Sequence, residues 1–353
     1  MTGLQTGAPP VPGGWMSSYC CPGDSNSTST GLTEPAEDPH GTASAAEAAG
    51  QPGGTPADPV ASSAGQPGDD PAGTTAAPDR ADRTTAGRRA FAALHRPGEP
   101  FVLPNAWDVA SALLLAGAGF PAIGTTSLGV TAAAGLVDGQ GTGRRVVVEV
   151  ARQVVPRLTI PVTVDIEGGY SDDPGEVAAL AAELASLGAA GINLEDGTAA
   201  GTLRPAAAQA AMLSAVVAAA PELFVNARTD TYWLHVGPQS GRRAETIRRL
   251  RAYQDAGATG VFVPGVTDLA DVAEVTRQVP LPLNVLWRPG IALTALGSAG
   301  VARVSTGSGP YRRALAAGLA TALAARDGTE PPAGDLPYGD LVALLSATQP
   351  ARA

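Results

Sequence analysis

Two acids, Asp165 and Glu167, straddle an isoleucine at the end of a short apolar run, Val162-Thr-Val-Asp-Ile-Glu-Gly-Gly-Tyr170. Carboxylates at the end of a buried strand are costly unless a cation or an equivalent partner meets them. Other runs end in the same way. Glu195 and Asp196 close Asn-Leu-Glu-Asp-Gly, Arg228 and Asp230 close Asn226-Ala-Arg-Thr-Asp230, and Asp108 and Asp138 lie in the loops after the first two runs. Acids that converge repel one another, so either their pKa values rise or a cation sits among them. A ligand set made of oxygen points to Mg²⁺, which keeps several of its waters. Arg228 would then clamp an anionic carboxylate in two-pronged fashion.

Each residue also has a plainer reading. Asp108 reads as the N-cap of the following helix, and Asp172-Asp173-Pro174 as helix-start chemistry. Glu195-Asp196-Gly197 can be a turn, and Arg228 can pair with Asp230. His235 reads as an exposed loop histidine, while Trp287 and Arg288 either line a pocket or pack a loop. Asp165 and Glu167 resist such a reading.

The chain contains no lysine, so all 23 basic residues are arginine. That removes Schiff-base aldolase chemistry, pyridoxal phosphate attachment and the P-loop lysine. Beyond residue 84 there are two histidines, His95 and His235, and no cysteine. A zinc site built on histidine is therefore nearly excluded. Carboxylates, hydroxyls, arginines and backbone groups remain.

These residues need a scaffold that brings strand ends together. From about Arg88 short apolar runs alternate with Ala-rich amphipathic stretches. Strands are expected at 101–103, 122–124, 162–164, 191–194, 223–226, 260–263, 282–286 and 302–305. Helices are expected at 108–118, 143–155, 174–187, 205–219, 241–256, 269–278, 291–296 and 310–325, with a Gly-rich loop after the second strand. Strands alternating with helices imply parallel α/β architecture. Eight units over some 240 residues fit a closed (β/α)₈ TIM-type barrel of about 250 residues, whose active site lies at the C-terminal ends of the strands. The open doubly wound alternative lacks a G-x-G-x-x-G after its first strand.

The remainder reads differently. Residues 1–84 carry only four of the Leu/Ile/Val/Phe set, with ten acids against two arginines. Such a segment cannot bury enough apolar surface to offset roughly 1–2 kcal/mol of backbone entropy per residue, so a disordered low-complexity tail is expected. The barrel is expected over 85–330, and an extension with a short helix near Asp335–Ala347 over 331–353. Residues 85–353 hold 23 acids against 21 arginines, leaving no basic face for nucleic acid. No run approaches the ~20 apolar residues of a membrane span, and the start lacks a signal-peptide pattern. The cytoplasm is the expected location. Cys20 and Cys21, adjacent in the tail, suit neither a disulfide framework nor a metal site.

In this order, the segments Gly124-Thr-Thr-Ser-Leu-Gly129, Gly135-Leu-Val-Asp138, Val164-Asp-Ile-Glu-Gly-Gly-Tyr170, Gly191-Ile-Asn-Leu-Glu-Asp-Gly197, Asn226-Ala-Arg-Thr-Asp230, Asn284-Val285 and Val301-Ala-Arg-Val-Ser-Thr-Gly307 resemble the isocitrate lyase/phosphoenolpyruvate mutase superfamily. The resemblance runs from about Phe101 to Leu323. It implies that Asp165 ligates Mg²⁺ directly and that Asp138, Glu167 and Glu195 hold it through water. Glu167 stands where Asp is commoner. The turn Thr126-Ser127-Leu128 matches the cradle for the substrate's carboxylate and enolate oxygen. Arg228 matches the substrate-binding arginine, and Asn226 in the same segment is assigned to the substrate too. Arg228, Glu195 and Tyr170 are assigned to catalysis, with Tyr170, Thr198 and His235 as candidates for carrying a proton. The loop Asp196-Gly-Thr-Ala-Ala-Gly-Thr-Leu203 departs from the family, having none of the Lys, Cys or His found there in isocitrate-type lyases and no basic gating residue of the phosphonate-cleaving enzymes.

Three functions are therefore expected in order: a Mg²⁺-dependent carbon–carbon lyase acting on a small 2-hydroxy or 2-oxo acid through an enolate; phosphorus–carbon mutase or hydrolase chemistry on a phosphonopyruvate-like substrate; and a non-catalytic metabolite-binding barrel. The resemblance also implies a homodimer or homotetramer, often with an exchanged C-terminal helix.

Overall fold

Side chains alternate across a β-strand, so each short run splits its residues between two faces. In the computed structural model, which describes residues 80–347, the apolar face of each run is sealed by helices and the other face lines a barrel interior. The chain opens with α1 (Arg80–Leu94), β1 (Phe101–Leu103), β2 (Asn105–Ala106) and α2 (Val109–Gly117). It continues through β3 (Ile123–Thr125), α3 (Ser127–Ala133), α4 (Arg144–Val154), β4 (Val162–Asp165), α5 (Pro174–Leu187), β5 (Gly191–Glu195) and α6 (Ala206–Ala219). Next come β6 (Phe224–Arg228), α7 (Gln239–Asp255), β7 (Gly260–Val263), α8 (Leu269–Gln278) and β8 (Leu283–Leu286). The chain ends with α9 (Leu293–Ser298), β9 (Val301–Ser305), α10 (Gly309–Asp327) and α11 (Tyr338–Ser346).

All strands are parallel and follow the order β1-β9-β8-β7-β6-β5-β4-β3-β2, bent round into a nearly closed TIM-type barrel. The expected first strand is present as β1, and Pro104, which has no N–H for the ladder, separates it from the further short strand β2. Leu103 O accepts from Thr306 N–H at 3.2 Å on one side, and Pro104 O accepts from Gly124 N–H at 2.9 Å on the other. The proline is thus where the chain changes neighbours and draws the two edges together.

Outward-facing Val164, Ile192, Leu194, Val225, Val261 and Val304 meet Val177, Leu180, Leu184, Leu213, Val216 and Leu250 of the helices in one continuous core. Asp108 caps α2 as its plainer reading predicts: its carboxylate accepts from Ser111 N–H at 2.7 Å, and Ser111 Oγ accepts from Asp108 N–H in return. Asp173 caps α5 with Pro174 in the first turn.

Two local expectations need correction. Helix α1 begins at Arg80, inside the stretch read as tail, because Phe91 is fully buried against Leu103, Ala190 and Phe224 at the N-terminal end of the barrel. The expected disorder of residues 1–79, and Cys20 and Cys21 with it, lies outside the described residues. The Gly-rich loop after β3 begins as helix α3, with Gly129 set so close to Trp107 and Thr126 that a Cβ would lie 2.8 and 2.7 Å from them. The helix expected in the C-terminal extension is present as α11 and packs on α2.

Gly191 opens β5 where a Cβ would lie 2.5 Å from the Phe224 carbonyl oxygen and 3.2 Å from Phe91. Replacing Gly191 with Ala is expected to destabilise the protein by about 1–3 kcal/mol, the usual scale of overpacking, as read from the urea midpoint.

Candidate active site

The inward positions of the strands are polar where barrels are commonly filled with branched apolar residues. Thr163 and Asp165 face inward from β4, Asn193 and Glu195 from β5, and Asn226 and Arg228 from β6. Asn284 on β8 and Arg303 and Ser305 on β9 complete the lining. The acids cluster at the C-terminal rim, as the barrel reading requires.

Asp165 ends β4 with its N–H donating to Thr125 Oγ1 at 2.9 Å. One carboxylate oxygen accepts from Ser127 N–H at 3.2 Å, while Oδ1 is buried without a partner. The Ser127 amide is available because the first amides of a helix have no intrahelical acceptor. The Thr126–Leu128 turn is therefore the start of α3, aimed at Asp165. Glu167 accepts from Gly139 N–H at 3.1 Å, and its Oε1 is also unpartnered. Asp138 Oδ1 and the Tyr170 hydroxyl share that condition. Glu167 and Tyr170 sit at φ 49° and 62°, left-handed conformations that non-glycine residues rarely hold.

Crowding shows in the titration of these groups. Burial, then the charges of Asp138 and Asp165, push the Glu167 carboxyl up to about 7. Burial and Asp165 raise Asp138, tempered by a hydrogen bond from Ser127. Burial and then the neighbouring carboxylates push the Tyr170 phenol well above its ordinary value. Among the described residues no three His, Cys, Asp or Glu side chains form an all-protein metal cage. The donor set nevertheless fits Mg²⁺, which takes one or two carboxylates and keeps its remaining waters. Three buried carboxylate oxygens without donors are the feature such a hydrated cation would satisfy.

Arg228 faces this cluster across the rim. Its Nε and Nη2 grip Asp230 at 2.6 and 3.0 Å, and Nη1 meets Glu195 at 2.6 Å. Arg228 thus makes the plainer pairing with Asp230 and also lies at the rim beside Glu195. A guanidinium has five N–H bonds, so two remain for a further anion. Burial opposes its charge, but Asp230 and Glu195 together raise its pKa, and it stays a cation. The Phe262 ring lies 5.6 Å below the guanidinium carbon. Burial pushes the Glu195 carboxyl up against the pull of Arg228.

Four residues singled out in the sequence take other places. Asn226 lies one inward step deeper than Arg228 and donates to Asn193 Oδ1 at 2.8 Å, so it belongs to the barrel interior. Asp196 is fully buried on the opposite side of β5 from Glu195, where it accepts from Thr229, Asp230 N–H, Arg249 and Tyr253. His235 is exposed at φ 51°, and Thr198 is closed onto Thr202. Sequence reasoning missed Arg303, fully buried, which donates to Asn193 Oδ1 at 2.9 Å and to Ser305 Oγ at 3.2 Å. The available signal was a charge in the middle of the apolar strand Val301-Ala-Arg-Val-Ser305. Arg249 and Tyr253 carried no comparable signal, since α7 is rich in arginine throughout.

Fold and rim together define a (β/α)₈-barrel enzyme whose C-terminal mouth gathers carboxylates around one arginine. The phosphoenolpyruvate phosphomutase family model matches residues 91–326. A Mycobacterium tuberculosis protein of uncharacterised function is 48% identical over 255 residues, covering 72% of this chain and 95% of that one. The 2-methylisocitrate lyase of Bacillus subtilis is 31% identical over 51% of this chain and 60% of its own length. A candidate phosphonomutase from Burkholderia cenocepacia, known from its crystal structure, is 38% identical with a TM-score of 0.64, covering 69% of this chain and 99% of that one. The chain belongs to the phosphoenolpyruvate mutase family of the isocitrate lyase/phosphoenolpyruvate mutase superfamily, and is an enzyme of that group of lyases and mutases.

The Glu167 shift has a stability consequence. Its folded pKa of about 7 lies above its ordinary 4.5, so between those values the folded state binds more protons than the unfolded one. Stability then falls as pH rises through that window. Without divalent cations, wild type is expected to lose up to about 3 kcal/mol relative to Glu167→Gln between about pH 5 and about pH 8, measured by urea unfolding. Adding Mg²⁺ at the upper pH should restore most of the difference.

Proposed function

We propose that the protein is a Mg²⁺-dependent lyase that cleaves a carbon–carbon bond of a small 2-hydroxy or 2-oxo acid through an enolate. The observation that carries this reading is the set of unpartnered buried oxygens on Asp138, Asp165, Glu167 and Tyr170, facing a rim arginine with two uncommitted N–H bonds. Asp165 would hold the metal directly, with Asp138, Glu167 and Glu195 acting through its waters. Bound there, Mg²⁺ supplies positive charge to the substrate oxygen that becomes the enolate. The chain's own contribution is positioning. Arg228 receives the substrate carboxylate, and in the Thr126-Ser127-Leu128 turn, where Ala106 O holds Thr126 N–H and Asp165 holds Ser127 N–H, the Leu128 amide at the start of α3 is the one assigned to a substrate oxygen. Such preorganised donors are worth most where water is excluded.

In a 2-hydroxy acid the hydroxyl gives up its proton to a base as the carbon–carbon bond breaks, and its oxygen becomes the carbonyl of one fragment. The bond's electron pair passes to the other fragment as an enolate, and a proton must then reach that carbon. Tyr170 is placed for that delivery, its buried hydroxyl lying beside the acids without a partner; burial and those carboxylates make it a weak acid, which would part with its proton only to a strongly basic carbon. The 2-methylisocitrate lyase relative supports the lyase reading. The candidate phosphonomutase at 38% identity favours a second reading, phosphorus–carbon chemistry on a phosphonopyruvate-like acid.

Helix α10 supports self-association. Leu315, Leu319 and Leu323, each four residues apart, are 58%, 61% and 39% exposed along it. An apolar stripe of this kind marks an interaction face. A homodimer or homotetramer would cover it, and Leu319→Arg should shift the mass measured by light scattering towards the monomer. Unchanged mass would remove the helix from the interface. Among the described residues no helix is long and apolar enough to cross a membrane, in keeping with a cytoplasmic enzyme.

Titration calorimetry with oxalate, an enolate mimic, tests the site. Binding is expected with Mg²⁺, and its loss with EDTA or in Asp165→Ala. Oxalate binding that ignores both would overturn the metal reading. Turnover of phosphonopyruvate in preference to 2-hydroxy acids would select the second chemistry.

A further inference from the structure

The rim arginine is only as well aimed as the groups that hold it, and those groups lead away from the mouth. Asp230 grips two nitrogens of Arg228, so its own placement sets the direction of the guanidinium. The backbone N–H of Asp230 donates to Asp196 Oδ1 at 2.8 Å, and Thr229 Oγ1 donates to Asp196 Oδ2 at 2.8 Å. Gly197 presses from the other side, where a Cβ would lie 2.6 Å from Asp230 Oδ2. Asp196 is therefore the fixed point of the turn that carries Asp230.

A fully buried carboxylate needs its own countercharge. Arg249 on α7 provides it, donating to Asp196 Oδ2 at 3.1 Å, and Tyr253 one turn later donates to the same oxygen at 2.6 Å. The same Nη1 reaches the Arg204 carbonyl at 2.8 Å, and Nε is anchored by Glu245 at 2.8 Å. Arg204 N–H in turn donates to the Asp196 carbonyl at 2.7 Å. One cation on an outer helix thus ties the end of β5, the loop leading to α6 and the turn after β6.

We infer that Arg249 is a positioning residue, with Tyr253 as its aid, that sets the orientation of Arg228 through Asp196 and Asp230 without touching the substrate. Its importance to activity rests on the reading of Arg228 as the substrate-carboxylate ligand, whereas the positioning itself does not.

The test is solvent exchange of the Arg228 Nε–H in the full-length protein, by NMR with ¹⁵N-labelled arginine. The signal is assigned by its loss in Arg228→Lys. Arg249→Met should speed that exchange about tenfold, the scale of one charge-assisted hydrogen bond, and leave the buried Arg303 Nε–H unchanged. Oxalate affinity in the presence of Mg²⁺ should fall by a similar factor, with Mg²⁺ affinity retained. Arg249→Lys, which keeps the charge, should recover part of both effects. Wild-type exchange at Arg228, or equal acceleration at Arg228 and Arg303, would overturn the inference, the latter because general loosening explains it. If Arg249→Met does not fold, Tyr253→Phe keeps the cation and should move the same signal in the same direction. An unchanged signal there would overturn the inference as well. If wild type binds no oxalate, the carboxylate-binding reading of Arg228 falls, and the exchange rates still decide the positioning.

Discussion

An excess of buried negative charge at one end of a parallel barrel is the constraint around which the structure is arranged. Burial first, and then neighbouring carboxylate charges, raise the pKa values of Asp138, Glu167, Glu195 and Asp230 at the rim. Fixed compensation comes from Arg228 at the rim and Arg303 beneath it. Arg303 sits in the interior with burial pulling its pKa down to about 9 and the Asp165 charge working the other way. Backbone amides from Ser127 and Gly139 add partial positive charge at single oxygens. The left-handed turns at Glu167 and Tyr170 hold both side chains in the cluster, each at a cost on the order of 1 kcal/mol. Strain and unpartnered oxygens in one place are the mark of a site built for something besides stability.

Glu195 and Asp196 show how strand geometry divides two adjacent acids. One residue along a strand reverses the side chain's direction, so Glu195 enters the mouth and meets Arg228 while Asp196 turns outward to α7. The first is balanced by Arg228, which on the proposed reading also receives a ligand. The second is balanced by a cation with purely internal partners and is fully committed, which removes it from metal chemistry although its position in the chain suggests otherwise.

The barrel was legible because its signal is repetitive: short apolar runs, helix-length Ala-rich stretches, and caps such as Asp108 and Asp173 at their starts. Residues that carry charge out of apolar runs, Asp165, Glu167 and Arg228, announced the rim for the same reason. What stayed hidden depends on contacts between distant segments. Helix α1 is held by Phe91 stacking edge-on against Phe224, a residue far along the chain. Helix α3 has almost no polar face, and its Gly124–Gly129 start reads as a loop until Trp107 packs against it. Asn226 lies on the inward face one step below Arg228, and its commitment to Asn193 depends on the register with β5, which one strand's sequence does not encode. Arg249 is one of several arginines on α7, and only its neighbours distinguish it.

The loop after β5 completes the argument about where proton chemistry resides. Thr198 N–H donates to the Thr202 carbonyl, the two hydroxyls meet at 2.9 Å, and Gly197 bridges to Leu203. Its polar groups are spent on one another, and it contains no titratable side chain between Gly197 and Leu203. A loop of this kind shapes the mouth but has no proton to give. On the proposed reading the donor must then belong to the rigid rim, where Tyr170 is held by backbone strain and burial against the acids it serves. On that reading the barrel separates two parts of its mouth: the rim would carry the charge and the proton, and the β5 loop, without a titratable side chain, would border it.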